Sequence, residues 1–401
     1  MNLPSAAPLL AGRGLRAFAD GYMAVLLPAY LLALGMGTLE VGIIATATML
    51  GSAFATIAVG AWGHQFASRR LLRGAALLMA LTGLGFAAAS SFWPLLVVAF
   101  VGTLNPSSGD VSVFLPLEHA RLAAAAKGHA RTTLFARYSL IGAVAAAFGA
   151  LAAAVPAWLV GHGISGIAAL RARFVLYGVI GLVVWQIYRQ RQPAEGADGT
   201  AGPDASAPAP LGPSRRIVVR LAALFSVDAV AGGLVVNSLL ALWLLERFGL
   251  SLAQAGAFFF WAGLLSALSQ LAAPIVARRI GLLNTMVFTH IPANVCLVLA
   301  AWAPSLPVAL ALLFVRSALS QMDVPTRTAY VMAVVTPAER PAAASCTAVP
   351  RSLAGALSPT LSGALFAAGW VAAPLVACGV LKICYDLALW RSCRGDALEE
   401  H

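Results

Sequence analysis

The chain has 401 residues, 60% of them hydrophobic and only 10% charged, whereas an ordinary soluble domain carries about 25% charged residues. A soluble core cannot absorb that much apolar sequence. The formal net charge of +11 would suit a nucleic-acid partner if the basic residues formed one stripe or face; instead they cluster at the ends of apolar segments, as in the cytoplasmic loops of membrane proteins, and no nucleic-acid partner is expected.

A helix needs about 20 largely apolar residues to cross a bilayer. Windows of that kind fall at 15–34, 41–62, 71–89, 95–117, 132–154 and 174–188 in the first half, and at 217–244, 253–276, 282–302, 308–335, 343–368 and 371–390 in the second. The expected fold is therefore an all-α membrane protein with twelve transmembrane helices in two pseudo-symmetric six-helix bundles. The first window follows Arg13 and Arg16 without a cleavable signal pattern and would act as its own membrane signal. After its Pro and Gly, the stretch PAWLVGHGISGIAALR at 156–171 lacks a clean span length and reads as an outer loop or interfacial helix. Between the sixth and seventh windows, QPAEGADGTAGPDASAPAPLGPS is too poor in large apolar residues and too rich in Pro, Gly and Ala to hold one shape. It divides the chain into an N-terminal bundle (1–190), a disordered cytoplasmic linker (191–214) and a C-terminal bundle (215–401). Alternate loops are basic, with Arg69, Arg70 and Arg73, then Arg121, Lys127 and Arg131, then Arg189, Arg191, Arg215 and Arg216, then Arg278 and Arg279, then Arg340; the others hold only Arg171, Arg173 and Arg247. The positive-inside rule then places both termini in the cytoplasm. The five cysteines, Cys296, Cys346, Cys378, Cys384 and Cys393, lack metal-ligand spacing and read as small buried hydrophobes, with no disulfide framework expected.

The chain writes one stretch twice. Setting FVGTLNPSSGD above FVRSALSQMD, and FARYSLIGA above VPRSLAGAL, aligns Phe100 with Phe314, Asp110 with Asp323, Arg137 with Arg351, Ser139 with Ser352 and Gly142 with Gly355, always about 213 residues apart. A constant offset of half the chain means duplicated halves, and apolar repeats interrupted by Pro, Gly and charge point to a transporter built from two related bundles.

Twelve windows, a duplicated half and a polar central loop together resemble the major facilitator superfamily over the whole chain. That family's loop between the second and third spans reads Gly, three residues, Asp-Arg, then Gly-Arg and another basic residue. Here it is Gly63-His64-Gln65-Phe66-Ala67-Ser68-Arg69-Arg70, with the glycine and the basic pair kept and Ala67 at the acidic position. The phrases MDVPTRTAYVMAVVTPAERPAAA and RAFADGYMAVLLPAYL are similar to those of a bacterial subgroup placed near drug and metabolite exporters. The resemblance implies a multi-pass protein of the bacterial inner membrane.

Ionisable groups at bilayer depth cost about 2.5–3.5 kcal/mol each on insertion scales, so they face the bundle interior and usually pair. Asp110 on the fourth span is expected to pair with Arg137 on the fifth, and Asp323 with Arg351 in the second copy; Asp323 also has Arg327 one turn on along the same helical face. Such pairs are either inner gate latches or fixed glue between helices. Asp20 and Asp228, both early in the first span of their half, are candidate proton carriers, because an apolar cavity disfavours a carboxylate's charge; for Asp20 the other reading is a pair with Arg16. Arg316, opposite Gly102 in the repeat, would clamp a carboxylate or phosphate. Tyr22, Asn105, Asn237, Asn294 and Gln321 either line a cavity or act as interhelical hydrogen-bond glue. His290, beside Pro292, reads as a hydrogen-bonded packing residue before a proton switch.

These features lead to a proton-coupled antiporter working by alternating access, for efflux of a small amphipathic organic compound. The alternatives are a carrier of organic or phosphorylated anions, motivated by Arg316, and a sensor or scaffold that kept the fold without transport. The sequence has no nucleophile elbow, metal-ligand cluster or phosphate-cradling loop, so no enzyme, metal or cofactor is expected. The expected partners are a small-molecule substrate, protons and the lipid bilayer, with the chain a monomer.

Overall fold

In lipid every backbone N–H and C=O has to be satisfied within its own segment, and long apolar runs meet that demand as helices. The computed structural model describes residues 3–105, 112–125, 128–189, 212–336 and 339–394, and among these all regular structure is helical. In chain order the helices are α1 (Leu3–Ala33), α2 (Thr38–Trp62), α3 (Ser68–Ala88), α4 (Phe92–Val101), α5 (Phe114–Ala125), α6 (Gly128–Leu151), α7 (Val155–Gly161) and α8 (Gly166–Arg189). They continue as α9 (Arg215–Gly233), α10 (Asn237–Phe248), α11 (Leu252–Ile280), α12 (Leu282–Ala301), α13 (Leu306–Leu319), α14 (Asp323–Ala333), α15 (Arg340–Ala356), α16 (Ser358–Ala367) and α17 (Ala373–Cys393). Asp110, Pro106 and Gly109, with nearly all of the 191–214 linker, lie outside the described residues.

Contacts gather the chain into two compact units. One holds 1–198, 236–263 and 359–368; the other holds 199–235, 264–358 and 369–401. Ten helical stretches among the described residues are long and apolar enough to cross a membrane. Tryptophans at or near helix ends, Trp62, Trp93, Trp158, Trp302 and Trp370, are strongly exposed, as the amphipathic rings of an interfacial belt are.

Several windows differ from the helices they became. The fourth, 95–117, is interrupted: α4 stops at Val101 and α5 begins at Phe114. At this break Thr82 Oγ1 accepts from the Thr103 amide at 3.2 Å, and the Tyr177 hydroxyl donates to the Thr103 carbonyl at 3.1 Å. The tenth window breaks in the same place of the repeat, between α13 and α14, where Ser266 Oγ donates to the Ser317 carbonyl at 3.4 Å and Gln270 donates to Gln321 at 3.3 Å. Thr82 of α3 and Tyr177 of α8 at the first break, and Ser266 of α11 at the second, thus bond backbone groups beside the missing ladder, which is what permits irregular backbone at such depth. The eleventh window is split into α15 and α16. The stretch expected to be an outer loop is mostly helical: α6 runs through a 3₁₀ turn at Ala152–Ala154 into α7, and the chain reverses at 162–165, where Gly163 takes φ +88°. The sixth window began at 174 because a hydropathy window stops at charge, whereas α8 starts at Gly166 and carries Arg171 and Arg173 on the helix itself.

Glycine sets two of the closest helix approaches. In the first unit a β-carbon on Gly21 would strike the Ala146 carbonyl, and one on Gly149 the Phe18 carbonyl, so α1 and α6 meet backbone to backbone. The second unit repeats the arrangement between α9 and α15, where Gly233 faces the Gly355 carbonyl and Gly355 faces that of Ala229. Small residues supply such seams in membranes, where van der Waals packing replaces the hydrophobic drive.

Outside the spans, Glu339 ties the entrance of α15 to that of α9. Its carboxylate accepts from Ser214, from Thr336 Oγ1 at 2.7 Å and from the Gly212 amide, and these hydrogen bonds hold its pKa down at about 2.

Two outcomes follow from this packing. Gly149→Ala should destabilise the protein in detergent by about 1–3 kcal/mol, the range for overpacking, read as an earlier unfolding transition; an unchanged transition would show that α1 and α6 do not meet there. For Glu339, a lowered folded pKa means that the tie is present above the ordinary carboxylate value and is lost as pH falls from about 4.5 to about 2. Exchange at the Gly212 amide, normalised to its intrinsic rate at each pH, should lose protection across that window and, in Glu339→Gln, be weakly protected throughout.

Candidate functional site: buried charges in the two helical units

In the second unit α9 presents Asp228, a buried residue whose two oxygens are shared between two helices. Oδ1 accepts from Lys382 Nζ on α17 at 2.5 Å, and Oδ2 accepts from Arg327 Nη1 on α14 at 3.1 Å. The other end of the same guanidinium, Nη2, reaches Asp323 at 2.5 Å, one turn back on α14. An i, i+4 spacing on a helix brings that last pair together. Two carboxylates and two cations thus close on each other. Above them on α17, Asp386 receives His290 Nδ1 of α12 at 2.9 and 3.0 Å, with both residues buried. Tyr385, between Lys382 and Asp386 in sequence, has a buried hydroxyl with no hydrogen-bond partner among the described residues. An apolar cluster that includes Val218, Leu221, Phe225, Met286, Tyr330 and Leu389 surrounds this end of the unit and keeps water from it.

The first unit buries charge differently. Glu118 on α5 is fully buried and accepts from Arg16 of α1 at 2.5 Å and from the hydroxyls of Tyr138 on α6 and Tyr188 on α8. One carboxylate therefore pins four helices. The Arg16 guanidinium also stacks on Phe114, 3.9 Å from its ring centre. Asp20, one turn beyond Arg16, is half-buried and sits in the field of Arg16 and Arg13. Tyr22 is fully buried, its ring under the Arg173 guanidinium at 4.4 Å and its hydroxyl donating to the Arg173 carbonyl at 3.2 Å.

The structure brings together Asp228, Asp323 and Arg327. It pairs Asp323 with Arg327 and not with Arg351, whose side chain is exposed; the one-turn partner on the same helix is the nearer of the two. Arg16 is bound by Glu118 on another helix while Asp20, one turn on, stays in its field. Arg137 is exposed, and its expected partner Asp110 lies outside the described residues. Arg316 on α13 is half-buried, without an ion pair and with its Nε lacking a hydrogen-bond partner among the described residues. Asn294 is buried and spends its amide on the His290 carbonyl at 2.9 Å, within α12. Gln321 meets Gln270 at the break after α13. Asn105 is buried beside the break after α4, and Asn237 opens α10 half-buried, both in the first unit. His290, which reads alone in its window, has Asp386 as partner. Of the loop marker, Arg69 caps the end of α8, donating to the Tyr188 carbonyl at 3.1 Å, where a cation also meets the negative end of the helix dipole.

Glu118, Lys382 and Asp386 go unnamed in the sequence reading, and Arg173, which reads there as a loop charge, is buried on α8. For Lys382 and Asp386 a signal existed, since opposite charges four apart inside an apolar helix belong on one face. Glu118 and Arg173 sit one residue outside the fourth and sixth windows.

Pinning of a helical unit by charges buried among apolar spans defines a polytopic membrane protein whose first helices carry ionisable groups inward, the arrangement of transporters. Residues 9–320 match the Major Facilitator Superfamily, and the chain belongs to that family: it is a multi-pass membrane transporter, not an enzyme. An uncharacterized membrane protein of Saccharomyces cerevisiae, YJR124C, is 24% identical and covers 94% of this chain and 91% of its own. Among solved structures, a bacterial homolog of the human lysosomal transporter Spinster, inward-facing and occupied, superposes with TM-score 0.74 at 16% identity over 100% of both chains. The inward-open xylose transporter XylE from E. coli gives 0.71 at 13% identity, covering 96% of this chain and 95% of that one. At such identities the likeness is one of fold.

Removing one partner of a buried pair strands the other, which costs about 3–5 kcal/mol. Glu118→Ala should lower unfolding stability by that amount, while Arg16→Met with Glu118→Leu, which removes both charges, should recover most of it. Equal losses in the two variants would show that the pair does not carry the packing of α1 on α5.

Proposed function

We propose that the chain is a proton-coupled secondary transporter, working by alternating access between its duplicated halves (1–190 and 215–401, joined by 191–214), that exports a small amphipathic organic compound. The carrying observation is Asp228, one carboxylate that holds Lys382 at 2.5 Å and Arg327 at 3.1 Å from two different helices. Loss of the Asp228 contacts during the cycle frees both cations at once, so α9 loosens from α14 and α17 in one event. Buried charge couples strongly to packing because leaving a partner unpaired is costly, and a titratable acid is the simplest group to couple it to a proton gradient. Asp20 serves as the corresponding acid of the first half, and Asp110 with Arg137, and Asp323 with Arg327 and Arg351, serve as gating charges. The small number of fixed polar groups along the spans supports an amphipathic substrate; the loop charges support cytoplasmic termini in a bacterial inner membrane, for a chain working as a monomer. A second reading, transport of an organic or phosphorylated anion, is favoured by Arg316 with its unpartnered Nε.

The test is proton movement in sealed proteoliposomes challenged with pools of cationic drugs, organic anions and sugar phosphates. One pool should drive a proton flux that Asp228→Asn and Asp20→Asn lose by at least tenfold. Arg316→Lys should leave an exporter of apolar cations intact and should abolish recognition by an anion carrier, since a lysine cannot bind bidentately. Substrate movement with no proton flux in the wild type would rule out coupling, and neither movement would favour the sensor.

A further inference from the structure

Among the described residues Arg173 is a buried cation without a counter-charge. It stands seven residues into α8, roughly 10 Å from the start of the helix at 1.5 Å per residue, and only 8% of its surface is exposed. Among the described residues it makes no ion pair, and both its Nε and its Nη2 are enclosed without a hydrogen-bond partner. What it does have is the face of Tyr22 at 4.4 Å. A desolvated cation–π contact offsets only part of the cost of burying an unpaired charge, so the ring does not balance the burial. A water would satisfy the hydrogen bonds and leave the charge unanswered. Arginine cannot escape by losing its proton.

The orientation of the unmet donors narrows the answer. Nε–H and the adjacent Nη2–H form one edge of the guanidinium, two parallel donors spaced to meet the two oxygens of a carboxylate. The surroundings are aromatic. Phe18 packs edge-on to Tyr22 at 5.7 Å, and the neighbouring Phe174 stacks on Phe86 at 5.2 Å and leans on Tyr30 at 4.6 Å. A single positive charge with one free edge suits a monoanion better than a phosphate dianion. We propose that Arg173 and Tyr22 form a binding site in the first unit for the carboxylate of an aromatic organic acid, the guanidinium edge taking the two oxygens. The site deepens the transporter reading, on which it rests for its role, by assigning the substrate a carboxylate on an apolar aromatic body.

The test reads binding without transport. Purified protein in a neutral maltoside detergent, free of anionic lipid, is titrated with benzoate, cinnamate and salicylate, with inorganic phosphate and benzamide as controls, and its thermal unfolding is followed. At least one carboxylate should raise the transition in a saturable way while benzamide and phosphate do not. Arg173→Gln and Arg173→Lys should each weaken that carboxylate at least tenfold, because one loses the charge and the other the paired edge. No saturable shift with any of the three acids, or a shift that survives in both Arg173 variants, overturns the proposal; a shift with phosphate equal to that with the acids overturns the choice of a carboxylate. If Arg173→Gln fails to fold, Arg173→Lys, which keeps the buried charge, decides. Binding lost in the variants of a protein that moves no protons sustains this site and sinks proton coupling, whereas proton flux driven by cationic drugs with no carboxylate binding does the reverse.

Discussion

A charge carried to bilayer depth must find its opposite inside the protein, and most of the architecture around α1 and α9 follows from that demand. In the first unit Arg16 on α1 meets Glu118 on α5; in the second, Asp228 on α9 meets Arg327 on α14. The helices correspond in the duplication, the first of each half and the one that follows the break. The signs are exchanged. What the duplication has kept is a buried ion pair joining the same two helices, because either polarity satisfies the electrostatics, whereas a lone charge in either place does not.

The breaks after α4 and α13 belong to the same logic. A span interrupted at depth exposes amides and carbonyls that neighbouring side chains have to satisfy, and the structure supplies Thr82 and Tyr177 at one break and Ser266 at the other. In return, each interruption re-aims the second half of the helix, so that α5 and α14 present Glu118 and Arg327 to the first helix of their unit. The glycine seams act beside this. Gly21 and Gly149, like Gly233 and Gly355, let α1 on α6 and α9 on α15 approach to backbone contact, which leaves long side chains to span only the remaining faces.

The sequence shows the fold well because hydropathy and duplication are properties of whole segments. Ends and partners are local, and there the reading was limited by its own instrument. A window that counts apolar residues stops at charge, so a buried charge near a helix end is read as a loop: Glu118 lies one residue past 117, and Arg173 one residue before 174. Helices continue through both, since the interior supplies partners that composition does not record. Asp228, Asp323 and Arg327 were legible because they lie well inside their windows, but which of them touch was not. Asp323 has Arg327 on its own helix and Arg351 on another, and spacing alone favours neither; geometry selects the one-turn neighbour and leaves Asp228 to bind the rest of Arg327. Lys382 and Asp386 are legible as opposite charges four apart inside their window, but their partners on other helices, Asp228 and His290, are not.

The two units are left with different unanswered charges, and the difference is chemical. In the first, Arg16 is closed by Glu118, while Arg173 keeps a fixed positive charge that no change of protonation can remove and that meets no carboxylate among the described residues. In the second, Asp228 and Asp323 are matched by Lys382 and Arg327, and His290 is matched by Asp386. The ion pairs of the second unit close among its own helices, whereas the first leaves the Arg173 guanidinium with only the Tyr22 ring among the described residues.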